Sequence, residues 1–193
     1  DGQNTIYYFD LGKLFKFNIS NSQVSSVAIN SEIQSEALSY KIYSNNLYIL
    51  TNQEIFKSLL SGGSYTTKNK WLKSEVDLSL ASDFYIPNDG NIYVLNNDGQ
   101  IIKLRSGNKI NDYKSAVIEP TIQNDNRLII SDNNVYSLDS LAKRLLVRDL
   151  EKGGLLSQYQ LDSLSSLQDF AIDEESRVAY ILDGEAVYKI NLQ

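Results

Sequence analysis

The sequence predicts an all-β fold, a β-propeller of four-stranded antiparallel blades, on three observations. A tyrosine inside a short apolar run returns five times, at Tyr7, Tyr48, Tyr93, Tyr136 and Tyr180, with spacings of 41, 45, 43 and 44 residues. Each run is followed by an apolar–basic pair, whose cations are Lys16, Lys57, Lys103, Arg148 and Lys189. Asn, Asp and Gly cluster between the runs, in TNQE, NNDGQ and DGE, which is the punctuation of hairpins. A period of about 40–45 residues belongs to propeller blades or to helical repeats. The β-branched and aromatic content of the runs, each only four or five residues long, selects strands.

One blade is legible in the third copy. Strand a is DFYIP (83–87), followed by a turn at NDG, strand b at NIYVL, strand c at QIIKL and strand d at YKSAVI (113–118). The fifth copy repeats the pattern as DFAI, RVAYIL and AVYKINL. The segment SLDSLAKRLLVRDLEKGG (137–154) also fits a helix, with Leu138, Leu141, Leu145 and Leu146 on one side and glycines as a stop. The positions of Tyr136 and Arg148 in the repeat favour strand b, a turn near Lys143 and strand c. The expected blade units are 1–36, 37–80, 81–121, 122–166 and 167–193, within one domain.

NIYVLNNDGQIIKL resembles the PQQ-like (quinoprotein-like) repeat. VYSLDSLAKRLLVRDLEKGGLLSQYQL, with LQDFAIDEESRVAYIL after it, is similar to the NHL type of blade. The resemblance covers nearly the whole chain and implies a propeller. Quinoprotein blades dock through tryptophans, and the single tryptophan here is Trp71, so quinone binding is not implied and no cofactor is expected. The repeat begins on strand b before Tyr7 and breaks off after strand c at Gln193. Further N-terminal sequence is therefore expected to supply strand a and a closing strand d, in a ring of five or six blades.

Composition excludes several chemistries. The net charge of −6 opposes nucleic-acid binding, which needs a concentrated basic surface. No apolar run approaches the roughly 20 residues that a membrane-spanning helix needs. With no cysteine and no histidine, thiolate chemistry, cysteine–zinc sites and the commonest general base are all absent from these 193 residues. NDGN and NNDGQ do not make a calcium loop, because the spacing puts Val94 at the first ligand position. Asn18-Ile19-Ser20 has the form of a glycosylation sequon.

The remaining candidates each have a structural alternative. Asp83 and Asp169 open equivalent inner strands and would serve as acid and base in glycoside hydrolysis; the alternative is a turn hydrogen bond at a strand start. The tyrosine row would make a sugar platform, or packs between blades with its hydroxyls at the rim. The cation row reads as solvated or intra-blade salt contacts. Trp71, flanked by lysines outside the repeat, is a candidate protein contact or packs under a loop. The leading expectation is a non-enzymatic module that binds a protein, as the terminal domain of a larger bacterial surface or envelope protein. A lectin-like propeller and a glycosidase or lyase are the alternatives. The Asn, Ser and Tyr content and the acidic balance favour an extracytoplasmic location.

Overall fold

The computed structural model describes residues 4–10, 13–110 and 113–192. Among them, strands form five antiparallel sheets of three or four strands, arranged as a five-bladed β-propeller with almost no helix. Blade 1 holds β1 (Thr5–Asp10), β2 (Lys13–Asn18) and β3 (Gln23–Val27), and a single helical turn, α1 (Ser31–Gln34), follows. Blade 2 holds β4 (Ser39–Tyr43), β5 (Asn46–Leu50), β6 (Ile55–Leu59) and β7 (Asn69–Lys70). Blade 3 holds β8 (Ala81–Tyr85), β9 (Ile92–Asn96), β10 (Ile101–Arg105) and β11 (Asn108–Ile110). Blade 4 holds β12 (Asp125–Ile130), β13 (Asn134–Asp139), β14 (Arg144–Asp149) and β15 (Leu155–Gln160). Blade 5 holds β16 (Leu167–Asp173), β17 (Val178–Asp183) and β18 (Ala186–Asn191).

The chain divides into two compact units, residues 1–79 with 106–108, and residues 80–105 with 109–193. One packing rule operates inside each. Residues opposed across an antiparallel ladder share a face, and the face changes with every residue. The face bearing the repeated tyrosine packs against the opposite face of the following blade. In the first unit Tyr7, Phe9 and Leu14 of blade 1 meet Ile42, Leu47 and Ile49 of blade 2. In the second, Tyr93, Leu95 and Ile101 of blade 3 meet Leu128, Ile130 and Val135 of blade 4. Tyr136, Leu138, Leu145 and Val147 of blade 4 then meet Phe170, Ala179 and Ile181 of blade 5. Alternation along each strand thus supplies two apolar faces, because a middle blade is covered on both sides.

The turns follow local chemistry. Ser44 and Asn45 both have positive φ, the two-residue turn whose twist suits β4 and β5. Ser106 and Gly107 repeat it between β10 and β11. Gly107 is required there twice over, by its φ of 88° and because a Cβ would lie 2.5 Å from the Trp71 carbonyl oxygen. The segment 137–154 forms β13, a turn in which Lys143 has φ 51°, and β14, so the strand reading of that stretch holds.

Two strand boundaries differ from the expectation. Strand a of the third blade runs from Ala81 to Tyr85 rather than to residue 87, because the turn begins at Pro87, whose carbonyl accepts the Gly90 N–H. Strand d is β11, not YKSAVI, because the Ser106–Gly107 turn reverses the chain directly after Arg105. Residues 113–118 have no strand; the Ser115 hydroxyl instead accepts the Ile101 N–H.

Leu145 and Val187 occupy the same register position in blades 4 and 5, opposite Leu138 and Leu182. Leu145 is fully buried and Val187 is 64% exposed. Leu145→Ala is expected to cost about 2–5 kcal/mol in urea unfolding and Val187→Ala under about 0.5 kcal/mol. Equal losses would contradict the packing rule.

Candidate functional site

The repeated tyrosines lie on interior strands in blades 2 to 5 and on the edge strand β1 in blade 1, and four of them face their cation directly across the ladder: Tyr7 opposite Lys16, Tyr48 opposite Lys57, Tyr93 opposite Lys103 and Tyr180 opposite Lys189. Lys57 and Lys103 sit over their tyrosine rings at 5.6 and 5.7 Å from the centroids. Tyr48, Tyr93 and Tyr136 are at most 7% exposed, so their rings offer no open stacking surface for a sugar. The Trp71 ring meets Tyr48 edge to face at 6.3 Å and its backbone N–H donates to the Ile55 carbonyl, and the residue is half-buried against blade 2.

Arg148 differs from the other four cations. Val147 is opposite Tyr136, and Arg148 is opposite Val135, on the other face of the sheet. That face is the one covered by blade 3. Arg148 is fully buried there, and its Nη2 donates to Asp125 Oδ2 at 2.5 Å and to Ser137 Oγ at 2.9 Å. Its Nη1 donates to the Gly99 carbonyl at 2.6 Å. The Ser137 hydroxyl donates to the same Asp125 oxygen at 2.8 Å. The separation in sequence carried the signal: tyrosine to cation is 12 residues in blade 4 and 9 or 10 in the others.

A second buried pair lies in the same blade and was not singled out from the sequence. Arg144 reaches Asp139 Oδ2 through Nε at 3.2 Å and Nη2 at 3.1 Å. Asp139 also accepts the N–H groups of Gln123 and Asn124, and Arg144 donates to the Pro120 carbonyl. Both buried pairs hold loops and strands together, and all four side chains are at most 2% exposed.

Asp83 is 2% exposed, and its Oδ2 accepts the N–H of Leu128 in the next blade at 2.9 Å. Asp169 has a side chain 60% exposed, 3.7 Å from Arg127 Nε, and accepts the N–H of its neighbour Phe170. One carboxylate is closed off in a seam and the other is open to solvent, which is not an acid–base arrangement around a shared substrate. Among the described residues, no three His, Cys, Asp or Glu side chains are grouped to hold a metal ion.

Two open clefts in the second unit lie at the turns β12–β13, β14–β15 and β16–β17. One, of about 390 Å³, is lined by Asn133, Asn134, Tyr136, Glu174, Arg177 and Leu192. The other, of about 320 Å³, is lined by Tyr93, Lys103, Asp132, Asn133, Asp149, Leu150 and Glu151. Asn133 lines both, so they adjoin across blades 3, 4 and 5. Tyr136 OH donates to Glu174 Oε1 at 2.7 Å, and Asn134 donates to the same oxygen. Burial and the carboxylate together push the Tyr136 pKa well above its ordinary value. Burial works against the ionised form of Glu174, but hydrogen bonds from Ser131, Tyr136 and Asn134 outweigh it and hold its pKa low. The lining is a mixed-charge, hydrogen-bonding surface on a rigid base.

No family model and no curated protein matches the chain. Solved propellers do. Hsv2 of Kluyveromyces lactis aligns over 99% of this chain and 59% of its own, with 12% identity and a TM-score of 0.57. PorZ of Porphyromonas gingivalis, described as an essential surface component of the type-IX secretion system, aligns over 98% of this chain and 24% of its own, with 14% identity and a TM-score of 0.56. A structure of the nidogen–laminin complex aligns over 83% of this chain and 60% of the matched chain, with 12% identity and a TM-score of 0.52. These likenesses establish the fold. The chain spans about three fifths of the Hsv2 chain.

Burial pushes the Asp125 carboxyl up to about 6, against the attraction of Arg148 and the hydrogen bonds from Ser137 and Arg148. The folded protein therefore holds this proton more tightly than the unfolded chain, whose value is near 3.8. The stability Asp125 contributes is present below about pH 4 and lost as pH rises through about 6. Urea unfolding at pH 4 and pH 6.5 should show wild type losing ground to Asp125→Asn over that interval. A difference independent of pH would show that Asp125 is ionised throughout.

Proposed function

We propose that this propeller is a non-enzymatic module that binds a protein through the adjoining clefts around Asn133, as the terminal domain of a larger bacterial surface or envelope protein. The observation that carries the reading is a division of labour among the polar side chains. Asp83, Asp125, Asp139, Arg144 and Arg148 are buried and engaged within or between sheets. In the adjoining clefts Asp132, Glu174, Lys103 and Arg177 offer both signs of charge within a few side chains. Rigid sheets presenting polar loops suit recognition of a partner's surface, with complementary charge setting specificity. Two proteins of the same fold support the choice of ligand class, one a surface component of a secretion system and one a component of the nidogen–laminin complex. On this reading the repeat is of the NHL or PQQ-like type, as its sequence resemblance implies.

The test uses two exposed positions whose side chains hold nothing else together. Asn133→Arg combined with Arg177→Glu should leave circular dichroism and Tm unchanged. Immobilised wild type and variant are compared for capture from extracts of the source cells, with each captured protein then purified and titrated directly. The expected result is a partner whose affinity falls at least about tenfold in the variant. Specific binding on a glycan array, abolished by the same variant, would replace this reading with the lectin one. A hydrolase activity lost in Asp169→Asn would replace it with an enzyme.

A further inference from the structure

The tyrosine face of blade 5 is built like two faces that other blades cover. Tyr93, Leu95 and Ile101 of blade 3 occupy the register positions of Tyr136, Leu138 and Leu145 in blade 4 and of Tyr180, Leu182 and Val187 in blade 5. In blades 3 and 4 all of these are at most 6% exposed, whereas Tyr180 is 39% and Val187 64% exposed. Together with Asp169, Phe170 and Ala171, they line an open depression of about 220 Å³.

The inner strand repeats a polar device on the same face. In β8 a bulge follows Ala81, and Asp83 stands opposite Leu95; in β16 a bulge follows Leu167, and Asp169 stands opposite Leu182. Strand β12 is bulged as well, between Asp125 and Leu128. The bulge leaves the Leu128 N–H outside its own ladder, and Asp83 reaches across the seam to accept it. Asp169 holds the same place on blade 5, with its carboxylate at the open surface.

We propose that the outer face of blade 5 is an inter-blade socket, and that its occupant is a further blade of this repeat, carried by the same polypeptide outside residues 1–193. The inner strand of that blade is bulged and gives an N–H to Asp169. Aliphatic residues on its first two strands cover Tyr180, Leu182 and Val187, as Leu128, Ile130 and Val135 cover blade 3. A second copy of this chain fits less well. Its uncovered face is that of Ile6 and Tyr8 in blade 1, where β1, the tyrosine strand, is at the edge of a three-stranded sheet and, among the described residues, no inner strand is present to meet Asp169. The Hsv2 and PorZ chains both extend well beyond the part this chain matches. The inference stands independently of what the Asn133 clefts bind.

The experiment compares the natural polypeptide, purified from its source, with residues 1–193 alone, by hydroxyl-radical footprinting. Tyr188, on the other face of the same sheet and 45% exposed, is the internal control. The expected result is that Tyr180 is protected at least about fivefold in the natural polypeptide at every concentration. Asp169→Asn should lower the Tm of the natural polypeptide by about 3 °C or more and leave that of residues 1–193 nearly unchanged. Equal Tyr180 reactivity in the two forms overturns the proposal. So does protection of residues 1–193 that grows with concentration, which would make a second copy the occupant, and so does a natural product of only 193 residues.

Discussion

Arg148 carries a full positive charge into the seam between blades 3 and 4, and the groups around it are arranged to make that tolerable. A buried guanidinium is costly unless a carboxylate and further acceptors meet its donors. Asp125 supplies the charge, Ser137 bridges the two, and the Gly99 carbonyl takes the far end. These contacts join the first three strands of blade 4 to the turn between β9 and β10 of blade 3. That turn calls for glycine, since Gly99 has a φ of 83°. The polar lock fixes how far blade 4 slides along blade 3, which aliphatic packing alone leaves loosely specified. Asp83 adds a second fixed point in the same seam by accepting the Leu128 N–H.

Position in the repeat decides what a given residue does. The tyrosine is a packing residue in blades 3 and 4 because the next sheet covers it, and the same residue at Tyr180 is half open because nothing covers it among the described residues. The aspartate after the inner-strand bulge is a strut at Asp83 and a surface group at Asp169. Chemical type alone does not distinguish these cases. Burial and the neighbouring sheet do: they make Asp83 part of the frame and leave Asp169 at the surface. The loop clefts combine both kinds of residue, since Tyr93 and Tyr136 belong to the frame while Asn133 and Arg177 are exposed.

Most of the architecture was legible because a propeller writes one supersecondary unit several times, and five occurrences of tyrosine in register outweigh local propensity. That is why the leucine-rich stretch 137–154 was readable as two strands despite its helical spacing. Strand d was misplaced in the third blade because its true span, Asn108–Ile110, is three residues long and polar, while YKSAVI carries a stronger strand composition. The burial of Arg148 turns on a single residue of register, since a shift of one exchanges the two faces of a sheet. The longer tyrosine-to-cation distance held that information, but only the ladder fixes its meaning. The Asn133 clefts left no mark in the sequence, because they are assembled from turns about 40 residues apart whose Asn, Asp and Glu side chains are ordinary turn residues.

The claim that interior charge here is framework rather than chemistry is tested most directly by a double-mutant cycle on Asp125 and Arg148. Asp125→Leu and Arg148→Met are made singly and together, and unfolding free energies are measured at pH 7. Each single change strands one buried charge or its donors and should cost about 3–5 kcal/mol, whereas the double variant should be no less stable than either. Additive losses in the double variant would mean that the two residues act separately, and the account of the blade 3–blade 4 seam would be wrong.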